Sequence, residues 1–152
     1  MMTINLICVG NLKEKFSREE QAEYLKRLSA FCKVNVVEIK EQNQLQQPAL
    51  IVEKEGEEIL SHLSGYIILC DIEAKESSSP AFAKHLQDLM QTTSTISFVV
   101  GGSYGVSEKV RKKCNERMSF SPMTFPHNLF RIMLLEQVYR AFTIINGKTY
   151  HK

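Results

Sequence analysis

Three stretches of this sequence carry residues suited to binding or chemistry. GGSYGVS (101–107) has glycines that let a ligand approach the backbone, whose amides and carbonyls can read an adenine edge or another small polar molecule. It lacks the GK[ST] of a P-loop and does not fit G-x-G-x-x-G, so a nucleotide-phosphate site is not expected there. SFSPMTFPH (119–127) is too apolar for a linker. Phe120, Met123 and Phe125 can wall a slot, Ser121 and Thr124 add short polar groups, and Pro122 and Pro126 narrow the loop's conformational freedom. By residue type alone this loop is either a plug for the core or a ligand wall. NGKTYHK (146–152) reads as a frayed tail or as a site in which Tyr150 and His151, flanked by Lys148 and Lys152, stack on bases and hold phosphates.

Other chemistries find little support. His62 and His85 lie among polar neighbours on amphipathic segments and read as surface residues, while His127 ends the apolar loop. No histidine pair has metal-ligand spacing, there is no G-x-S-x-G elbow, and no cysteine lies beside a histidine, so neither a metal nor covalent catalysis is expected. Cys8, Cys32, Cys70 and Cys114 are far apart, with no CxxC pair, and read as reduced structural thiols of a cytoplasmic protein. There is no secretory leader pattern, and no apolar window approaches the roughly 20 residues that span a bilayer.

The net charge of +2 is unevenly spread. Residues 1–108 hold 10 Lys and Arg against 15 Asp and Glu, a net of −5; residues 109–152 hold nine against two, a net of +7. The C-terminal third therefore suggests contact with a polyanion, unless the KVRKK run is simply a solvated helix face.

The elements that must position these stretches alternate between short apolar runs and amphipathic helices. At 152 residues with 43% hydrophobic content, the chain suits one α/β domain. Strands are expected at 4–9, 34–39, 66–71 and 95–100, with a short fifth at MSFS. Helices are expected after a Ser17/Glu20 capping box to about Phe31, across about 50–63, after a Ser79 cap with Pro80 at the first helical position, from Ser107 to about Met118, and across 128–145. In open α/β sheets ligands bind beyond the carboxyl ends of strands, which points to the loops after the third, fourth and fifth. The last helix is apolar over most of its circumference. Glu136, Gln137, Arg140 and Thr143 form its narrow polar strip, with Glu136 and Arg140 at the favourable i, i+4 spacing. Such a helix must be buried on more than one side, and a homodimer would supply the second surface.

Together FVVGGSYG (98–105), SFSPMTFPHNLFRIMLLEQVYRAFTIINGKTYHK (119–152) and the opening INLICVGNLKEKF resemble the bacterial ribosomal large subunit methyltransferase H family, small SPOUT-class enzymes. The similarity covers essentially the whole chain. It implies a SPOUT-like sheet flanked by helices, a C-terminal trefoil knot, a homodimer, and methylation of N3 of a pseudouridine in 23S rRNA within the assembled ribosome. It further implies S-adenosylmethionine held by Cys70, Gly101 and the segment Phe120, Ser121, Pro122, Met123, Thr124 and Phe125. Family members commonly carry Leu where Cys70 stands, a change that a backbone or van der Waals contact survives.

The implied reaction assigns roles to the remaining residues. The acceptor N3 bears an imide proton whose loss leaves an anion over two carbonyls. Arg140 would stabilise that anion, His151 or His127 would take the proton, and Tyr150 would stack on the base or donate to its carbonyl. Two alternatives suit the same residues: a SPOUT methyltransferase acting on another RNA such as tRNA, and a non-catalytic ribosome-binding dimer.

Overall fold

Three apolar runs, INLICV, YIILC and TISFVV, form strands because each can be covered on both faces at once. In the computed structural model, which describes residues 1–152, β1 (Met2–Val9), β2 (Cys32–Ile39), β3 (Tyr66–Cys70), β4 (Thr95–Val100) and β5 (Glu116–Met118) make one parallel sheet ordered β2-β1-β4-β3-β5. The crossovers contain α1 (Lys15–Leu28), α2 (Pro48–His62), α3 (Ser79–Leu89) and α4 (Glu108–Lys113), and α5 (His127–Ile145) closes the chain. One face of β1, with Met2, Ile4, Leu6 and Cys8, joins Leu28 of α1, Leu86 of α3 and Leu135, Val138 and Phe142 of α5 in the larger core. The other face, with Ile7 and Val9, joins Val99 and Leu69, Ile59 of α2 and Val110 of α4. This is the α/β, SPOUT-like sheet flanked by helices that the alternating periodicity and the family resemblance led us to expect.

Local chemistry moves several boundaries. The Ser17/Glu20 capping box does not form: α1 begins at Lys15, and Arg18 instead donates to the carbonyls of Leu12 and Lys13, at 3.3 and 2.6 Å. Ser78, rather than Ser79, caps α3 by accepting from Ala81 N at 3.2 Å, which frees Ser79 to donate to Gln137 on α5. The helix capped by Ser107 stops at Lys113, well short of Met118, because Asn115 is drawn into the sheet. Its side-chain oxygen accepts from Ile67 N and its amide donates to Ile67 O, both at 2.8 Å. The fifth strand is accordingly Glu116–Met118 in place of MSFS, and Ser119 makes only an isolated bridge to Glu76.

The last helix is enclosed by its own chain more fully than its periodicity suggests. Arg131, Ile132, Leu134, Leu135, Val138, Ala141, Phe142 and Thr143 are all buried, and Leu129 is its one large exposed apolar side chain. Thr143, expected on the polar strip, instead donates its hydroxyl to Arg140 O at 2.6 Å. Arg131, counted among the cations of the basic third, is 1% exposed. Its guanidinium donates to Gly10 O at the end of β1, to Gln21 of α1 and to Glu38 of β2. A guanidinium fits this site because three donors diverge from one rigid plane.

Removing the cation leaves Gly10 O and Glu38 without their donor. Because Glu38 is half-exposed, Arg131→Ala should destabilise the fold by about 3 kcal/mol, at the lower end for a broken buried pair. Arg131→Lys should recover little, since one ammonium cannot reach three diverging partners. Urea denaturation reads both values, and a loss below about 1 kcal/mol for the alanine variant contradicts this account.

Candidate functional site

Parallel strands leave their carboxyl ends open, and here the loops after β3, β4 and β5 enclose a cavity of about 680 Å³. Leu69 and Cys70 form one wall, Gly101, Gly102 and Val106 a second, and Ser119 to Ser121 with Thr124 to His127 a third. Gly101 has no alternative. A Cβ there would lie 2.9 Å from both Gly105 O and Val106 Cγ1, so the turn can close only around bare backbone. Opposite it, Phe120 packs on Phe130 of α5 with ring centroids 4.7 Å apart. Buried Ser119 fixes the loop's course: its hydroxyl lies 3.0 Å from Ser121 O and accepts from Ser121 N at 3.1 Å. The segment that read as either plug or wall does both, with Phe120 seated against the core and Phe125 lining the cavity.

Of the residues expected to hold the cofactor, Cys70, Gly101, Phe120, Ser121, Thr124 and Phe125 line this cavity together. Pro122 and Met123 do not; they form the exposed tip, with Met123 72% exposed. His127 lies at the inner end, where its Nε2 is 3.4 Å from Glu41 of the loop after β2. The Cys70 thiol is pushed well above its ordinary range by burial, and Cys8 and Cys32 are pushed up to about 12 by the same cause, which makes all three poor nucleophiles.

The sequence reading missed the rim. Asp71, just past β3, accepts from Arg111 of α4 at 2.7 Å and from Arg117 of β5 at 3.1 Å, and both Asp71 and Arg111 line the cavity. Burial pushes the Asp71 carboxyl up, but the Glu73 amide and the two guanidiniums outweigh it and hold it below the ordinary value. Glu108 of α4 also lies 3.6 Å from Arg111 Nε, so the rim is a network of two arginines and two carboxylates, and exposed Lys109, Lys112 and Lys113 on α4 carry the positive charge beyond it. The signal was present in the aspartate that ends YIILCD, but no spacing rule links it to arginines 40 and 46 residues away. His85, read as a surface residue, is half-buried and hydrogen-bonded to Glu116 on β5.

Arg140, Tyr150 and His151 meet one another, but not in this cavity. Glu136 is their hub: it accepts from Arg140 Nε at 3.2 Å and Nη2 at 3.0 Å, and from the Tyr150 hydroxyl at 2.7 Å. The Arg140 guanidinium also lies 4.8 Å from the centre of the Tyr150 ring. Its Nη1 is 3.1 Å from His151 Nδ1, and because a guanidinium can only donate, Nδ1 accepts and the imidazole proton sits on Nε2. The hydrogen bond to Glu136, with burial second, pushes the Tyr150 hydroxyl up to about 12, so it stays a donor throughout the neutral range. The tail is thus held in place rather than frayed. His127 takes no part in this cluster.

No group of three His, Cys, Asp or Glu side chains is placed to hold a metal, and no helix is long and apolar enough to cross a membrane. Comparison with known proteins adds a consistent picture. A family model described as "Predicted SPOUT methyltransferase" matches residues 2–151. The ribosomal RNA large subunit methyltransferase H of Clostridium acetobutylicum is 46% identical over 159 aligned positions, covering 99% of this chain and all of that protein. Its counterpart in Clostridium botulinum (strain Kyoto / Type A2) is also 46% identical with the same coverage. Among solved structures, a probable methylase family protein from Haemophilus influenzae Rd KW20 superposes with a TM-score of 0.54 at 13% identity, covering 99% of this chain and 70% of that one, a likeness of fold alone.

The rim makes a pH-dependent prediction. A carboxyl held below its ordinary pKa contributes stability that is full above that ordinary value, near 3.9, and lost as pH falls through the lower folded value. Asp71→Asn should therefore be less stable than the parent at pH 7, with the gap between their urea midpoints shrinking as the pH drops below about 4. A gap that stays constant across that range would rule out this ionic role.

Proposed function

This chain belongs to the ribosomal RNA large subunit methyltransferase H family of SPOUT methyltransferases, and from that membership we propose that it methylates N3 of a pseudouridine in 23S rRNA of the assembled ribosome, with S-adenosylmethionine as donor. The observation that carries this reading is the cavity at the carboxyl ends of β3, β4 and β5, where a bare glycine edge faces aromatic side chains. Its volume, about 680 Å³, lies inside the range of sites for cofactor-sized molecules, and flat apolar walls beside free backbone suit an adenosyl group. Cys70, Gly101, Phe120, Ser121, Thr124 and Phe125 would hold the cofactor, while Pro122 narrows the loop's freedom and the Met123 backbone amide donates to Ser121 Oγ at 3.0 Å. When bound, it supplies a methyl activated on sulfonium, so that a C–N bond forms as a C–S bond breaks.

The chain's own residues then manage the acceptor. As the imide proton leaves, Arg140 would offer the N–H groups that Glu136 and His151 leave free to the anion spread over the two flanking carbonyls, and Tyr150, whose hydroxyl stays protonated at neutral pH, would offer that proton once its bond to Glu136 is released. His151 accepts from Arg140 through Nδ1, so it can take the imide proton there only after that bond is released. His127 reaches the larger cavity directly and is the alternative proton acceptor. The exposed lysines of α4 would meet RNA phosphates. We include in the proposal the C-terminal trefoil knot, a homodimer formed over the remaining apolar surface of α5, and the cytoplasm as the place where ribosomes are met.

Transfer of labelled methyl from S-adenosylmethionine to ribosomes lacking the modification should place label on N3 of a 23S pseudouridine; label in bulk tRNA instead would favour the other RNA class, and ribosome binding with no cofactor binding in calorimetry would favour a non-catalytic dimer. Arg140→Ala should lower turnover on the order of 100-fold, with cofactor affinity nearly unchanged. Equal loss of both would assign Arg140 a structural role beside Glu136. Removing residues 150–152 should abolish turnover without unfolding the chain, and a fully active truncation would return the tail to a passive one.

A further inference from the structure

The larger cavity and the Arg140 cluster share no residue, yet in the proposed reaction the methyl donor and the acceptor must meet. A second cavity, of about 280 Å³, lies between them. Met118 and Phe120 line both cavities, and Glu136, the hub of the Arg140 cluster, lines the second. We propose that this smaller cavity receives the acceptor, a single uracil-type base turned out of the RNA. The inference rests on the methyltransferase reading and deepens it by naming the acceptor's subsite.

Size, walls and polar groups agree with that occupant. The volume falls just below the range of about 300–1,000 Å³ that suits whole drug-sized ligands, so it fits one base better than a second nucleoside. Phe82, Met118, Phe120 and Met133 supply apolar surfaces of the kind that hold a base extruded from its stack. Polar groups enter from two sides. Ser77 to Ser79 carry hydroxyls at the start of α3, and Glu136 and Gln137 face them from α5. Gln137 is held by Ser79, whose hydroxyl donates to its Oε1 at 2.7 Å, and its amide nitrogen donates to Glu136 at 3.3 Å, so the edge-reading groups are already fixed. A base seated here has the shared Met118–Phe120 wall on the donor side and the carboxylate that holds Arg140 and Tyr150 on the other.

The six methionines give a direct test, because Met118 and Met133 line this cavity while Met1, Met2 and Met90 lie elsewhere. In full-length protein labelled at the methionine methyl groups, titration with pseudouridine 5′-monophosphate to tens of millimolar should shift the Met118 and Met133 resonances and leave those of Met1, Met2 and Met90 in place. A shift of Met118 without Met133 would put the nucleotide in the larger cavity and overturn the proposal, as would no shift of either. Met133→Trp, which fills the cavity, should slow methyl transfer to ribosomes on the order of 100-fold with KM for ribosomes and cofactor affinity unchanged. Gln137→Leu, a smaller change, should act in the same direction should the tryptophan variant fail to fold. Unchanged turnover, a parallel loss of cofactor affinity, or a change of oligomeric state on filling the cavity would each overturn the assignment, the last by showing that a second copy of the chain covers it. Should the parent protein fail to methylate ribosomes, the functional reading falls, whereas the nucleotide titration still decides what the cavity binds.

Discussion

One buried guanidinium fixes the frame on which everything else hangs. Arg131 lies in the second turn of α5, and its three sets of partners come from the end of β1, from β2 and from α1. Interdigitated apolar side chains already resist sliding, and a helix that also donates to a strand-end carbonyl cannot move without leaving that carbonyl bare. The loop 119–126 runs directly into α5, and the 136–151 cluster projects from its second half. Both therefore inherit their positions from that anchor. Gly10 takes part in the same corner: with φ at +97°, it accepts the guanidinium through its carbonyl, and a Cβ on it would lie 2.6 Å from Glu41, the residue beside His127.

The same residue shows why a tally of charge misdescribes this molecule. Of the nine cations in the C-terminal third, Arg131 is sequestered, Arg111 and Arg117 converge on Asp71, and Arg140 is held by Glu136. Arginine is used wherever a fixed planar donor is needed, and lysine is left on the surface, where a mobile charge suffices. The positive charge that remains is that of Lys109, Lys112 and Lys113 on α4 and of Lys148 and Lys152 in the tail, because Glu108 pairs with Arg111 as well. Of α4, it is Arg111 that lines the larger cavity.

The elements were largely legible in the sequence, because a strand covered on both faces must be written as an unbroken apolar run, and INLICV, YIILC and TISFVV are so written. Boundaries were less legible where a single side chain overrode the pattern: Asn115 pairing with Ile67 ends α4 early, and Arg18 binding the preceding carbonyls sets the start of α1 without a serine cap. The larger cavity was legible in part. Glycines at 101 and 102 and the aromatic loop at 119–127 are local signals, whereas Asp71, Glu41 and the second cavity arise from contacts between segments far apart in the chain, which no periodicity encodes. The placement of the tail was harder still, since a seven-residue polar segment carries no sign that Glu136 will hold it.

The apolar character of SFSPMTFPH follows from where the loop lies. It is not one wall but a partition, because Phe120 borders both cavities and its ring is seated on Phe130 of α5. A polar, mobile loop in that position would admit water between the two spaces and let their separation vary, and transfer between two bound groups tolerates misplacement of only about 1 Å. Prolines at 122 and 126, the buried Ser119 hydroxyl and the aromatic contact each remove some of that freedom. α5 supplies Phe130 and Met133 to the two cavities and Glu136 to the tail cluster, and Arg131 ties that helix to the end of β1 and to β2. Partition, smaller cavity and cluster therefore share one fixed reference to the sheet whose strand ends form the other wall of the larger cavity, so that their mutual alignment is set by packing rather than by the loop alone.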